Sequence, residues 1–185
     1  MFIQTEPTPN PASLKFIPGR PVLASGSSTF TSIEQATHSP LAQRLFAITG
    51  VDGVFLGGDF ITVTKAEARD WQVMKPMILG AIMEHYTSGQ PVVLDDSASI
   101  AANTVTAEDS DVVAQIKELI DTRVRPVVAR DGGDITYHDF KDGVVYLVMR
   151  GSCSGCPSST ATLKHGIENM LRHYIPEVQA VEAVS

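Results

Sequence analysis

Two small α+β domains joined by a flexible acidic linker are the fold class that the sequence predicts, and three observations point to it. Strand-like segments and helical apolar spacings occur on both sides of residues 94–111, that stretch has five acids and no base, and 43% of the 185 residues are hydrophobic, enough for ordinary globular cores. The net charge of −7 is local: residues 1–93 carry six bases and seven acids, residues 112–185 eight bases and nine acids, and the remaining −5 lies in the stretch between them. No basic face for nucleic acid follows from this pattern. No uncharged apolar run approaches the ~18 residues of a membrane span, so no membrane role is expected.

The first domain is expected over residues 1–93. "LKFIP" and "GVFLGGDFITVTK" have strand composition, with Gly57-Gly58-Asp59 turning a hairpin. In "SPLAQRLFAITG", Ser39 caps a helix, Pro40 occupies its first position and Gly50 ends it. A longer helix begins near Asp70, with Trp71, Met74, Ile78, Ile82 and Tyr86 at helical spacing and Pro76 as a source of bending. The Met and Trp content of residues 71–83 reads as core. Residues 94–111, rich in Ser, Ala and Thr and lacking aromatics, cannot bury enough apolar surface to offset ordering and read as the linker.

The second domain is expected over residues 112–185. Val112, Val113, Ile116, Leu119 and Ile120 share one helical face, and Pro126 is expected to close that helix. "DITYHDFKDGVVYLVMR" reads as a hairpin turned at Lys141-Asp142-Gly143. Pro157 opens a helix with Leu163, Ile167, Met170, Leu171 and Tyr174 as its buried stripe, and "VQAVEAV" joins the sheet edge.

Between that hairpin and that helix lie the only two cysteines, Cys153 and Cys156. A CxxC pair serves a redox disulfide, zinc, or an iron-sulfur cluster. The N–H groups of the following helix, with Arg150 nearby, are expected to stabilise a thiolate, and Gly151 and Gly155 to allow a tight loop. A thioredoxin-like enzyme is disfavoured, because the strand before the motif belongs to a short-turned hairpin and no Trp precedes the first Cys. Zinc and a cubane cluster each take four ligands, so one CxxC supplies half. His38, His85, His138, His165 and His173 offer no Cys2His2 spacing, and His138, His165 and His173 read as solvated. Two chains, each giving Cys153 and Cys156, would complete a bridging zinc or cluster site at an exposed, poorly buried surface. A capping turn with two free cysteines is the remaining alternative.

"GSCSGCPSSTATLKHGIENMLRHYIPEV" and "VRPVVARDGGDITY" resemble the NifU C-terminal-type domain of Nfu iron-sulfur proteins, and "TEPTPNPASLKFIPGRPV" with "SPLAQRLFAITGVDGVFLGGDFITVTK" resembles the Nfu N-terminal domain. The resemblance implies a non-enzymatic carrier or late-acting scaffold: a homodimer binding a [4Fe-4S] cluster between two CxxC loops, with a [2Fe-2S] form open. Cys153 and Cys156 match the family's cluster ligands. Upstream cluster-assembly proteins and recipient iron-sulfur apo-proteins, among them lipoyl synthase, aconitase and respiratory-chain subunits, are the implied partners. The cysteine-free N-terminal domain would aid partner recognition. Asp131-Gly132-Gly133-Asp134 is expected to be a turn whose Asp side chains satisfy local amides, with shaping the surface beside the cluster loop or contacting a partner as the alternative. With no basic presequence and with Met1 opening the chain, a bacterial cytoplasmic protein is expected ahead of a mature mitochondrial matrix form.

Overall fold

In the computed structural model, which describes residues 1–94, 109–154 and 157–184, the chain divides into two compact units, Met1–Ile100 and Ala101–Ser185. Most of the expected linker lies outside the described residues. At its edges, the Leu94 N–H donates to the His38 carbonyl at 2.7 Å, and Lys117 pairs with Asp109 at 2.8 Å.

The first unit is an antiparallel sheet flanked by two helices. Its strands are β1 (Gln4–Pro7), β2 (Ser13–Ile17), β3 (Ser28–Phe30), β4 (Val51–Leu56) and β5 (Ile61–Lys65), in the spatial order β1-β2-β5-β4-β3. β4 and β5 form the expected hairpin, Leu56 opposite Ile61. Helix α1 (Pro40–Phe46) is capped by Ser39, whose Oγ accepts the Ala42 N–H, with Pro40 in the first turn where its missing N–H costs no bond. Helix α2 (Trp71–Ser88) starts at Asp70, which accepts the Gln72 N–H, and ends at left-handed Gly89. Met74, Ile78 and Ile82 are fully buried, each stabilising the unit by roughly 1.5–3 kcal/mol. Trp71 and Tyr86 pack partly against this core, and Trp71 Nε1 donates to the Pro11 carbonyl. The reading of residues 71–83 as core holds for Met74 but not for Met77 and Met83, which are exposed.

The second unit orders a three-stranded sheet β6-β7-β8. β6 (Gly133–Lys141) and β7 (Val144–Gly151) are the expected hairpin, and both turn residues, Asp142 at φ 52° and Gly143 at φ 80°, take the positive values that a tight two-residue turn demands. A register shift between Tyr137 and Asp139 leaves His138 unpaired and exposed. β8 (Ala180–Val184) pairs with β7 in parallel, so helix α5 (Pro157–Tyr174) is the crossover that parallel pairing requires.

Two expectations are corrected here. Pro126 does not close the preceding helix: α3 (Asp111–Leu119) passes through a wide π turn (Ile120–Val124) into α4 (Arg125–Arg130). Proline removes one N–H and its ring presses on the carbonyl four residues back. The wider turn, in which the Arg125 N–H reaches the Ile120 carbonyl, accommodates it. It also serves packing. Ile116, Ile120, Val124 and Val128 are all buried at four-residue spacing, which drifts by about 40° per step in an ordinary helix, and the π turn takes up part of that drift. Tyr174 leaves the stripe of α5. It is 48% exposed, with the Arg123 guanidinium 5.1 Å from its ring centre, and Ile175 is buried in its stead.

Candidate functional site

Cys153 follows the end of β7 and lies inside the molecule. It is 5% exposed and belongs to the hydrophobic core of the second unit. Cys156 lies outside the described residues.

The Cys153 turn is held from three directions. Ser154 closes it locally, its N–H and Oγ both donating to the Gly151 carbonyl. The segment entering β6 holds it from beneath: the Ser152 N–H donates to the Gly132 carbonyl at 3.2 Å, and Ser152 Oγ donates to the Asp131 carbonyl. From α5, Thr160 Oγ1 donates to the Cys153 carbonyl at 2.9 Å. Gly133 makes room for the sulfur, since a Cβ there would lie 2.5 Å from Cys153 Sγ and 2.8 Å from the Arg150 carbonyl oxygen. No larger residue fits at position 133 without moving that sulfur.

The Asp131–Asp134 stretch bears out the turn reading and packs against the Cys153 turn. It is a turn, with Gly132 at φ 80° and Asp134 Oδ1 accepting the Ile135 N–H, and it is also the seat of the cysteine turn. Asp134 is itself fixed by a two-pronged pair with Arg125, Nε to Oδ1 at 2.8 Å and Nη2 to Oδ2 at 2.9 Å. Arg125 also reaches Asp121 at 3.3 Å. These contacts join the π turn to the foot of the cysteine loop.

This geometry corrects the expectation of an exposed, acidified thiol. Burial pushes the Cys153 thiol up to about 12; the hydrogen bond with Ser152 opposes that, and the charges of Asp131 and Asp134 add to it. Arg150 does not offset this burial; its Nη1 donates to Thr136 Oγ1. At neutral pH Cys153 is therefore protonated, with far less thiolate than an ordinary thiol. In a Cys156→Ala chain, where Cys153 is the only thiol, iodoacetamide labelling at pH 8 is expected to be at least tenfold slower than in the urea-unfolded chain. The rate should rise with pH well beyond 9. Equal rates in the folded and unfolded chains would contradict the buried thiol.

The histidines do not join this site. His38, His138, His165 and His173 are exposed. His85 is buried in the first unit with no hydrogen bond to either ring nitrogen among the described residues, and burial followed by the Arg44 charge lowers its pKa. Among the described residues no group of three or more His, Cys, Asp or Glu side chains could hold a metal ion. No helix among them is long and apolar enough to cross a membrane.

Sequence reasoning singled out Cys153 and the stretch that contains Gly133 but missed Ser152 and Thr160 as supports of the Cys153 turn. Hydroxyls in loops and first helical turns do seek carbonyls, yet which carbonyl they meet is decided by tertiary contact.

Residues 3–89 match the family model described as scaffold protein Nfu/NifU N terminal, and residues 116–182 match the NifU-like domain. The "NFU1 iron-sulfur cluster scaffold homolog, mitochondrial" of Homo sapiens is 55% identical over 185 residues, covering 100% of this chain and 72% of the relative. Two Arabidopsis thaliana proteins are similar as well. "NifU-like protein 4, mitochondrial" is 54% identical over 98% of this chain and 65% of its own length, and "NifU-like protein 5, mitochondrial" is 55% identical over 98% and 67%. The chain thus spans about two thirds of the length of these plant relatives. Their names overturn the expectation of a bacterial cytoplasmic protein, pointing instead to the mitochondrion. That expectation rested on the composition of the first residues and on Met1, neither of which reports a compartment.

Proposed function

Because the chain belongs to the Nfu family of iron-sulfur cluster scaffold proteins, we propose that it is a cluster carrier whose cargo is a [4Fe-4S] cluster held between the Cys153 and Cys156 thiolates of two copies. The observation that carries this reading is the seating of Cys153. One cysteine turn is braced by the Asp131–Gly133 segment and by Thr160 of α5, in a chain with two thiols where a cubane needs four.

The chemistry follows from that seat. Cys153 is protonated at rest, so loading exchanges its proton for iron, which deprotonates a coordinating thiol outright. Unloaded Cys153 therefore keeps little thiolate, and this sulfur is charged only when cargo arrives. Delivery is the reverse exchange: a recipient cysteine thiolate takes each iron, and the released sulfur of Cys153 regains a proton. The stepwise character comes from having separate sulfurs on separate chains. Residues 112–185 carry the cargo in this reading, residues 1–93 recognise assembly and recipient proteins, and residues 94–111 tether the two.

The test is anaerobic reconstitution of the full chain with iron and sulfide, with iron, sulfide and native mass measured on the same fraction. Four irons and four sulfides per two chains are expected. Two and two would assign a [2Fe-2S] cargo. Zinc without sulfide would make the chain a zinc-bridged interaction module, and a metal-free monomer that turns over disulfides would make it an oxidoreductase.

A further inference from the structure

As the structure seats it, Cys153 has no room for a cluster iron. Its sulfur faces Gly133, where a Cβ would lie 2.5 Å away, and the residue is 5% exposed within the core of the second unit. Protein interiors leave few voids larger than a water molecule, and an iron with its sulfides is much larger. The observed pose and ligation exclude each other.

The bonds that hold the turn inward are identifiable. Ser152 Oγ donates to the Asp131 carbonyl and the Ser152 N–H to the Gly132 carbonyl, while Thr160 Oγ1 donates to the Cys153 carbonyl at 2.9 Å. The two bonds from Ser154 to the Gly151 carbonyl are internal to the turn and can travel with it. Opposite the sulfur, Gly133 has no side chain to interlock with it. The ties to the surroundings thus include two side-chain hydroxyls on carbonyls, bonds that water replaces at modest net cost.

We propose that Thr160 and Ser152 are positioning residues that hold Cys153 in an inward, unloaded pose, and that the turn swings off Gly133 before the sulfur takes cargo. The proposal rests on the reading of Cys153 as a cargo ligand and holds whichever other sulfurs complete the site. Loading then depends on the fraction of chains whose turn is open, so weakening the inward bonds speeds loading. A role confined to bracing the loaded turn has the opposite sign. The exchange itself balances without electron transfer. With a [4Fe-4S] cluster carried by small thiolates as donor, an Fe–S bond to Cys153 forms, one to a small thiolate breaks, and the Cys153 proton leaves on the departing thiol.

The test uses the full chain, kept anaerobic, in two measurements. In the Cys156→Ala background, iodoacetamide labelling of Cys153 reads opening without any metal; in the two-cysteine chain, uptake from that donor complex reads loading by visible absorbance. Thr160→Val and Ser152→Ala each remove one hydroxyl tie and are expected to accelerate both rates together by about fivefold, the usual worth of one hydrogen bond. The labelling rate should be insensitive to low urea, the mark of a local opening and not of unfolding. Thr87→Val, which removes a hydroxyl bond in the first unit, is the control and should label and load as wild type. If neither variant is faster in both measurements, the inward pose is no step in loading, and the proposal falls while the carrier reading stands. A wild-type chain that takes no cluster from the donor, or a Cys153→Ala chain that loads fully, would remove Cys153 as a ligand and the proposal with it.

Discussion

Cys153→Ala is expected to abolish retention of an iron-sulfur cluster while the second unit stays folded. Removing one buried sulfur leaves a small void against Gly133, at a cost of about 1 kcal/mol, well within the usual stability margin of a domain. Alanine is the informative replacement, because serine would bury a hydroxyl in need of a partner. Two chains then offer two thiolates in place of four, and a cubane held by half its ligands does not survive desalting. Iron and sulfide analysis after gel filtration, with a far-ultraviolet melt beside it, separates loss of cargo from loss of fold. Cys156→Ala should lose cargo to the same extent. A full cluster in either variant would remove that cysteine from the ligand set.

The second large effect concerns stability. Arg125→Leu should destabilise the second unit by about 3–5 kcal/mol, because it leaves the Asp134 carboxylate, 6% exposed, without its two-pronged partner. Arg125→Lys should cost less but still measurably, since an ammonium cannot make both bonds at once. Replacing both residues, Arg125→Leu with Asp134→Leu, should recover much of the loss, because the buried Asp134 carboxylate is then gone and only the less buried Asp121 loses a partner. Urea unfolding followed by hydrogen exchange at β6 and β7 would read these differences. The fluorescence of Trp71, the sole tryptophan, lies in the first unit and should keep its midpoint. If Arg125→Leu unfolds at the wild-type midpoint, the pair is ornamental. Since Asp134 sits directly after Gly133, the destabilised variant should also hold its cargo less well.

How far the sequence could be read follows from which interactions are local. The caps at Ser39 and Asp70, the two hairpin turns and the helix opening at Pro157 are decided within a few residues, and all are found where expected. β1 and β3 were not foreseen. "QTEP" is polar and ends in proline, "STF" has three residues, and each becomes a strand only because a partner supplies its ladder, the adjacent β2 for β1 and the distant β4 for β3. Passage of the helix through Pro126 depends on a core that rewards a buried residue every fourth position, which proline's local preference does not reveal. At the cysteine loop the residue types were legible and the depth was not. A thiol beside a helix start reads as acidified; the close fit of Gly133 under the sulfur, set by β6 beside β7, reverses it.

If the chain carries a cluster as proposed, burying Cys153 also determines how it ages between deliveries. Peroxide attacks thiolates, and the ladder from sulfenic to sulfonic acid begins only where thiolate and oxidant can meet. A sulfur that is 5% exposed, with its pKa pushed up to about 12, is a slow target. An idle chain can thus wait in an oxidising episode with this binding group chemically intact, at the cost of having to surrender a proton each time it is loaded.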